Sequence, residues 1–277
     1  MRLLPLPQIL PYRDAHDPSI RGWAVAGYGH ISLASLPWHL KEDEIRDGVR
    51  GVKASSTRRV LAFEEDVFGE RPARLYAKRN LSRSLAKSLS YRLHRSKGRR
   101  EWEVGWTLLR RGFLTGRPIV VAERRHWGLV AESHLVTEAI AADRTLLDHL
   151  RLLVRERGVS PEPLFAPLGA FLRSLHGAGF YHDDLSAEHV WVRDGDPEPQ
   201  FGLIDLDQCR FTRLTRSRVT MNLFQLLRSI PKRLLSPEQR EALLAACVGD
   251  NWPEQRAAVL AGIRRIEAAK GARDTLG

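Results

Sequence analysis

The 277-residue chain predicts an α+β fold, with a small antiparallel sheet first and a mostly helical region after it. Segments 59–63 and 73–78 mix β-formers with alternating polarity on either side of the turn-rich EEDVFGERP, and 118–123 and 129–136 form a second pair across the HWG turn. From residue 142 the apolar spacing turns helical, over 142–157 and 164–176 and again near the C-terminus. A composition of 43% hydrophobic and 28% charged residues supports a folded core and excludes wholesale disorder.

Residues 1–48 are Pro- and Gly-rich, with a candidate strand at 23–28, and read as an N-terminal extension with no assignable chemistry. Pro5, Pro7 and Pro11 interrupt the opening apolar run, so it lacks the core of a secretory leader. The longest stretch without Asp, Glu, Lys or Arg, 22–40, carries Gly, Ser, Pro37 and two histidines and is poor material for a bilayer span. Cys209 and Cys247 lie far apart in no CxxC pair, which argues against a disulfide framework or a cysteine zinc site. A cytoplasmic protein is expected.

Two or three antiparallel strands are expected between 49 and 78. Over 99–111, Trp102, Trp106 and Leu109 recur at spacings of four and three, one face of a helix that Gly112 ends and that should pack on the sheet. Short strands are expected at 190–192 and 201–206, separated by RDGDPEPQ. The remainder reads as helical: Ser236, Pro237 and Gln239 form a capping-box-like start, and 253–270 makes a last amphipathic helix before Gly271.

The net charge of +11 and pI of about 10.2 point to an anionic partner or surface. Much of the excess sits in 78–111, where Glu101 and Glu103 are the only acids. Within it, 81–100 places Leu81, Leu85, Leu89 and Leu93 at intervals of four with cations between, a helix that either packs on the sheet or lies on an anionic membrane. No zinc finger, RNP motif or helix-turn-helix signature accompanies the charge, so no nucleic-acid partner is expected.

The chemistry concentrates in YHDDLSAEHVWV, residues 181–192. A histidine, one residue and Asp-Leu just before a strand resemble a kinase catalytic loop of form HxDLxxxN, with Asp184 as the base. In GLIDLDQCRF, Asp205 follows an apolar strand as a metal-binding acid does in kinases. Upstream, Lys78 ends a predicted strand, and the next helix offers Glu101, better placed than Glu103, to pair with it. The segment 51–60 has Gly51 but no GxGxxG; its Lys53, Ser55 and Ser56 are candidates to approach phosphate. Taken singly, Lys78 reads as one more solvated cation, Asp183 as a turn residue, His182 as structural and the two tryptophans as core; the order of the parts raises the kinase reading above these.

Together these motifs resemble the lipopolysaccharide kinase family, the Kdo/heptose kinases, which are distant relatives of protein kinases. The resemblance also draws on AKR, REWE, LLRRGFLTGRP, LVTEAI and NLFQLLRSIPK, and covers about residues 51–232. It implies a two-lobed protein-kinase-like fold, with a sheet lobe at 49–138, a helical lobe at 139–277, and 1–48 as an extension before or within the first lobe. It further implies ATP and Mg2+ as cofactors. Lys78 and Glu101 would handle the phosphates, 136–139 including Glu138 would border adenine, Asp184 would take the sugar proton, and Asp205 would ligate metal. The acceptor would be an anionic lipid-linked sugar, Kdo or heptose, with peripheral contact at the inner face of the inner membrane through the basic tract.

One position departs from the pattern: five residues after Asp184 stands His189, where an asparagine is expected as the second metal ligand. Imidazole suits softer ions than magnesium. Three outcomes stay open: one metal on Asp205, replacement of the asparagine by His189, Glu188 or Asp207, or a nucleotide-binding pseudokinase that scaffolds envelope synthesis. A kinase acting on a protein or another small molecule is the enzymatic alternative, because the shared motifs do not encode the acceptor pocket.

Overall fold

Hydrogen-bonded strands that alternate core and solvent positions build the first half of the chain. The computed structural model describes residues 5–65, 72–82, 95–196 and 198–274, and the chain divides into two compact units, Met1–Ala141 and Ala142–Gly277. The first contains β1 (Ile9–Arg13), β2 (Ile20–Val25), β3 (Ile45–Arg46), β4 (Val49–Ala54), β5 (Arg58–Glu65), β6 (Ala73–Leu81), α1 (Lys97–Arg110), β7 (Leu114–Thr115), β8 (Pro118–His126) and β9 (Leu129–Glu138). An antiparallel sheet runs β1-β2-β8-β9-β6-β5-β4-β3. Leu75, Ala77, Val120 and Leu135 form part of its buried core, and Trp102 and Trp106 of α1 join the same cluster with their rings edge to face, 6.0 Å apart.

The β8–β9 hairpin turns at Trp127 (φ 52°) and Gly128 (φ 76°), two left-handed residues in succession, the conformation a two-residue hairpin loop requires. Gly98, at the start of α1, has a different reason to be glycine. A Cβ there would lie 2.9 Å from the His134 carbonyl oxygen, so the missing side chain lets the helix approach β9.

The N-terminal segment is built into the sheet. β2 spans Ile20–Val25 rather than 23–28, because the chain turns at Gly27 (φ 92°), where Tyr28 N–H bonds the Val25 carbonyl at 3.0 Å. Asp14, 2% exposed, gathers the following loop by accepting from the backbone amides of Leu33 (2.6 Å) and Ala34 (3.1 Å) and from the Tyr12 hydroxyl (2.9 Å). Burial alone would raise its pKa, yet the Ala34 and His16 amides hold it down at about 2. The expected 81–100 helix falls partly outside the described residues: Leu81 ends β6, α1 begins at Lys97, and Leu85, Leu89, Leu93, Arg83, Lys87 and Arg92 lie in the segment that is not described.

The second unit holds β10 (Arg144–Thr145), α2 (Leu146–Arg151), α3 (Phe165–Gly177), β11 (Phe180–Tyr181), β12 (Val190–Arg193), β13 (Gln200–Leu203), β14 (Arg210–Phe211), α4 (Arg216–Ser229), α5 (Pro237–Val248) and α6 (Trp252–Asp274). β10, β12 and β13 pair antiparallel, as do β11 and β14. The helix expected from 142 begins only at Leu146, because Asp143 N–H bonds the Val192 carbonyl and Thr145 then caps α2 by accepting from Asp148 N–H. The Ser236–Gln239 capping box forms and starts α5. Among the described residues no helix is long and apolar enough to cross a membrane.

Candidate active site

In the first unit, Lys78 stands on β6 between Val60 of β5 and Leu135 of β9. Its ammonium donates to the carboxylate of Glu101 on α1, and the two side chains are only 13% and 6% exposed. Each charge answers the desolvation of the other, so the pair fixes the lysine's position under the sheet. Glu103 points elsewhere and pairs with Arg95 (2.7 Å) and Arg99 (3.3 Å).

The β4–β5 turn is closed by Ser55, whose amide donates to the Arg58 carbonyl (2.8 Å) and whose hydroxyl accepts from Arg58 N–H (3.0 Å). Lys53 and Ser56 are exposed beside it. The Glu138 carboxylate, at the end of β9, is already engaged: Arg117 Nε donates to it at 2.7 Å and the Tyr28 hydroxyl bonds it as well. Glu138 therefore works through its carboxylate as a brace for the strand end. Tyr28 lies 110 residues away in sequence and Arg117 21 away, and no local pattern marks either as a partner.

In the second unit the loop between β11 and β12 is organised by His182, 2% exposed. Its Nδ1 accepts from the Asp184 amide (3.2 Å) while Nε2 donates to the Ile204 carbonyl (3.2 Å), a neutral tautomer; burial correspondingly holds its pKa below the ordinary value. From α4, the Asn222 amide donates to the His182 carbonyl at 2.5 Å and Gln225 donates to the Asp183 carbonyl. Thus the loop backbone is gripped from both sides while the Asp184 side chain stays exposed.

His189 stacks on His182 with ring centroids 5.6 Å apart and planes 17° from parallel. Its Nδ1–H donates to the Asp184 carbonyl (2.8 Å), which leaves Nε2 as the acceptor nitrogen, 3.9 Å from Asp205 Oδ2. Asp205 leaves β13 in the left-handed conformation (φ 57°, ψ 57°), a cost that a non-glycine residue bears where the geometry of a site demands it. The strand expected over 201–206 accordingly stops at Leu203, and 206–208 coil into a 3-10 turn. Of the three candidates for the missing asparagine, His189 is set beside Asp205, whereas Asp207 is buried in that turn and Glu188 is exposed.

The donor set of one imidazole nitrogen and one carboxylate oxygen fits a divalent cation. Among the described residues no group of three or more His, Cys, Asp or Glu side chains could hold a metal, so substrate oxygens and water would complete the shell.

A lysine on a strand paired to a helix glutamate, and a histidine-anchored acidic loop followed by a second acid after a short strand, are the parts of a protein-kinase-like fold. The solved structure of WaaP in complex with acyl carrier protein shares that fold, with a TM-score of 0.58 at 21% identity over 79% of this chain and 87% of that one. The model of the lipopolysaccharide kinase (Kdo/WaaP) family matches residues 45–247, and the chain belongs to that family. Among curated relatives, a 3-deoxy-D-manno-octulosonic acid kinase of Vibrio parahaemolyticus is 30% identical over 135 residues, 49% of this chain and 52% of that protein. One of Photobacterium profundum is 30% identical over 126 residues, 46% of this chain and 49% of that protein. The chain spans about half the length of these relatives.

Proposed function

We propose that the chain is an ATP-dependent kinase that phosphorylates a hydroxyl of Kdo in the lipopolysaccharide inner core. The observation that carries this reading is the loop held by His182, Asn222 and Gln225, which presents Asp184 and sets His189 beside Asp205. The names of the curated relatives favour Kdo over heptose.

On this reading Lys78, held by Glu101, grips the α- and β-phosphates, and the backbone after Glu138 borders the base. Asp184 orients the sugar hydroxyl and accepts its proton as the oxygen bonds to the γ-phosphorus and the bond to ADP breaks. Asp205 and His189 would hold the divalent cation, ordinarily magnesium, which when bound supplies positive charge against the phosphate oxygens. The basic surface of the first unit would hold the enzyme against the anionic cytoplasmic leaflet that carries its substrate.

The test is transfer of label from the ATP γ-phosphate to Kdo-bearing lipid A. Asp184→Asn and Asp205→Asn should each lower the rate by about 10²–10⁴-fold while the thermal melt stays in place. Transfer that survives both changes rejects the assignment. The second reading, a silent nucleotide-binding scaffold, rests on His189; ATP binding without turnover, with turnover gained in His189→Asn, would establish it instead.

A further inference from the structure

The β8–β9 hairpin places a tryptophan at its turn. The first position of such a turn needs a left-handed residue, for which Asn, Asp or Gly is the low-cost choice, and a bulky aromatic there is an outlier. Trp127 nevertheless holds it, at φ 52°, with 96% of its surface exposed. The ring thus bears a conformational cost and a hydration cost and gains no packing from its own chain in return.

A second observation lies two residues back along β8. Arg125 borders a groove of about 780 Å³ between the β1–β2 edge of the sheet and the start of α1, whose lining includes Arg13, Arg21, Trp23, Arg99 and Glu123. Arg13 and Arg21 stand directly opposite each other in the β1–β2 register, a pairing of like charges that destabilises a sheet. Among the described residues no carboxylate pairs with either: Arg21 Nε–H donates to the Pro18 carbonyl at 3.0 Å, and Glu123, opposite Arg21 on β8, is held by Arg125 at 2.9 and 2.6 Å. Trp23, two residues from Arg21 on the same face, is 43% exposed and carries the Arg99 guanidinium over its ring at 4.8 Å.

Among the described residues this lining sets four arginines against one carboxylate, beside two exposed tryptophans, and so complements an anionic partner. The arrangement favours a lipid surface over a polyanion lying in the groove. Single-stranded nucleic acid stacks its bases on aromatic rings that line a channel, and the ring that lines this one is already covered on one side by Arg99. Trp127 instead tips the hairpin two residues beyond Arg125, as an interfacial tryptophan sits ahead of cations that stay at headgroup level. We propose that the hairpin tip and the groove form one docking surface for an anionic bilayer, in which Trp127 enters the interface and Arg13 and Arg21 take lipid phosphates. This deepens the kinase reading by naming the surface that meets the lipid layer, and rests on that reading only for which leaflet is met.

Sedimentation of the full chain with vesicles tests the surface. Equimolar phosphatidylglycerol and phosphatidylethanolamine should bind the wild type about tenfold or more tightly than phosphatidylcholine alone. Trp127→Asn should lose about tenfold in affinity for the anionic vesicles while its thermal melt holds or rises, because asparagine suits the turn, whereas a tryptophan that served only the fold would lower the melt when removed. The Arg13→Gln, Arg21→Gln double variant should lose about as much. Brominated acyl chains should quench wild-type tryptophan fluorescence and quench Trp127→Asn less. Both variants should transfer phosphate to a deacylated, water-soluble Kdo acceptor at the wild-type rate; a matching fall in that rate would put the residues in the active site and overturn the proposal. No preference for anionic vesicles, or variants that bind them unchanged, overturns it as well, as does tighter binding to single-stranded RNA that both variants lose. Vesicle binding without transfer to any Kdo acceptor removes the kinase reading and leaves the surface standing, whereas transfer to the soluble acceptor without vesicle binding does the reverse.

Discussion

One imidazole controls how the Asp205 carboxylate can be used. Because His189 Nδ1 bonds the Asp184 carbonyl, its Nε2 faces Asp205 Oδ2 at 3.9 Å, and the ring stacks on the buried His182 ring. A nitrogen donor ranks manganese or cobalt above magnesium more strongly than an asparagine oxygen does. His189→Asn should therefore shift the ratio of Mn2+- to Mg2+-supported rates toward magnesium by about tenfold or more, and weaken Mn2+ binding measured by electron paramagnetic resonance. An unchanged Mn2+ affinity would remove His189 from the metal site. At this scale Asp184 and Asp205 are singled out by short motifs, and Lys78 only by its place at a strand end ahead of a helix that offers Glu101, a pairing the structure forms. Tyr28 and Arg117, which brace Glu138, are not singled out, since their contacts join residues 110 and 21 apart with no shared pattern.

At the scale of elements, α4 clamps the loop that carries Asp184. Asn222 and Gln225 are three apart, hence on one helix face, and each donates to a loop carbonyl; Ser229 on the next turn accepts from the Ala187 amide at 2.8 Å. Asn222→Ala would leave the buried His182 carbonyl without this donor, at a cost of about 1–3 kcal/mol. The thermal melt should fall accordingly and kcat should drop, while the KM for ATP holds, because Asn222 touches the loop and not the nucleotide. A fall in KM and kcat by the same factor would mean that the loop is not what the helix supports. The segment NLFQLLRSIPK carried part of the family resemblance, but its role depends on which carbonyls face it, a tertiary fact. The same holds for β1, which Pro7 and Pro11 hid, and for the bounds of β2, expected three residues too late: their pairing is held by Asp14 and by the β8 edge rather than by local propensity.

For the molecule as a whole, the charge sum signalled anionic partners, but not where buried titratable groups sit. Those groups set an acid limit on stability. His134 and His182, 1% and 2% exposed, are held below the ordinary histidine value of 6.5 by burial, so the folded chain keeps them neutral. As pH falls through 6.5 the unfolded chain takes up these protons first. Stability is thus fully present above that pH and is lost below it, by up to about 1.4 kcal/mol per pH unit for each histidine. Glu132 adds a second stage: burial raises its pKa, but His134 and Arg79 override that and hold it at about 2, so its contribution is lost only as pH falls below its unfolded value of 4.5. Urea unfolding followed by tryptophan fluorescence reports mainly on the first unit, which holds Trp23, Trp38, Trp102, Trp106 and Trp127, and therefore on His134 and Glu132. The midpoint should be level above pH 7, decline between pH 6.5 and 5, and decline further below pH 4.5. His134→Phe removes this ring and should flatten the upper decline; because it also removes one of the two partners that hold Glu132 low, it should shrink the lower decline without abolishing it, Arg79 remaining. A midpoint that stays level from pH 7 to 5 in the wild type would mean that the His134 ring takes up its proton without unfolding the sheet.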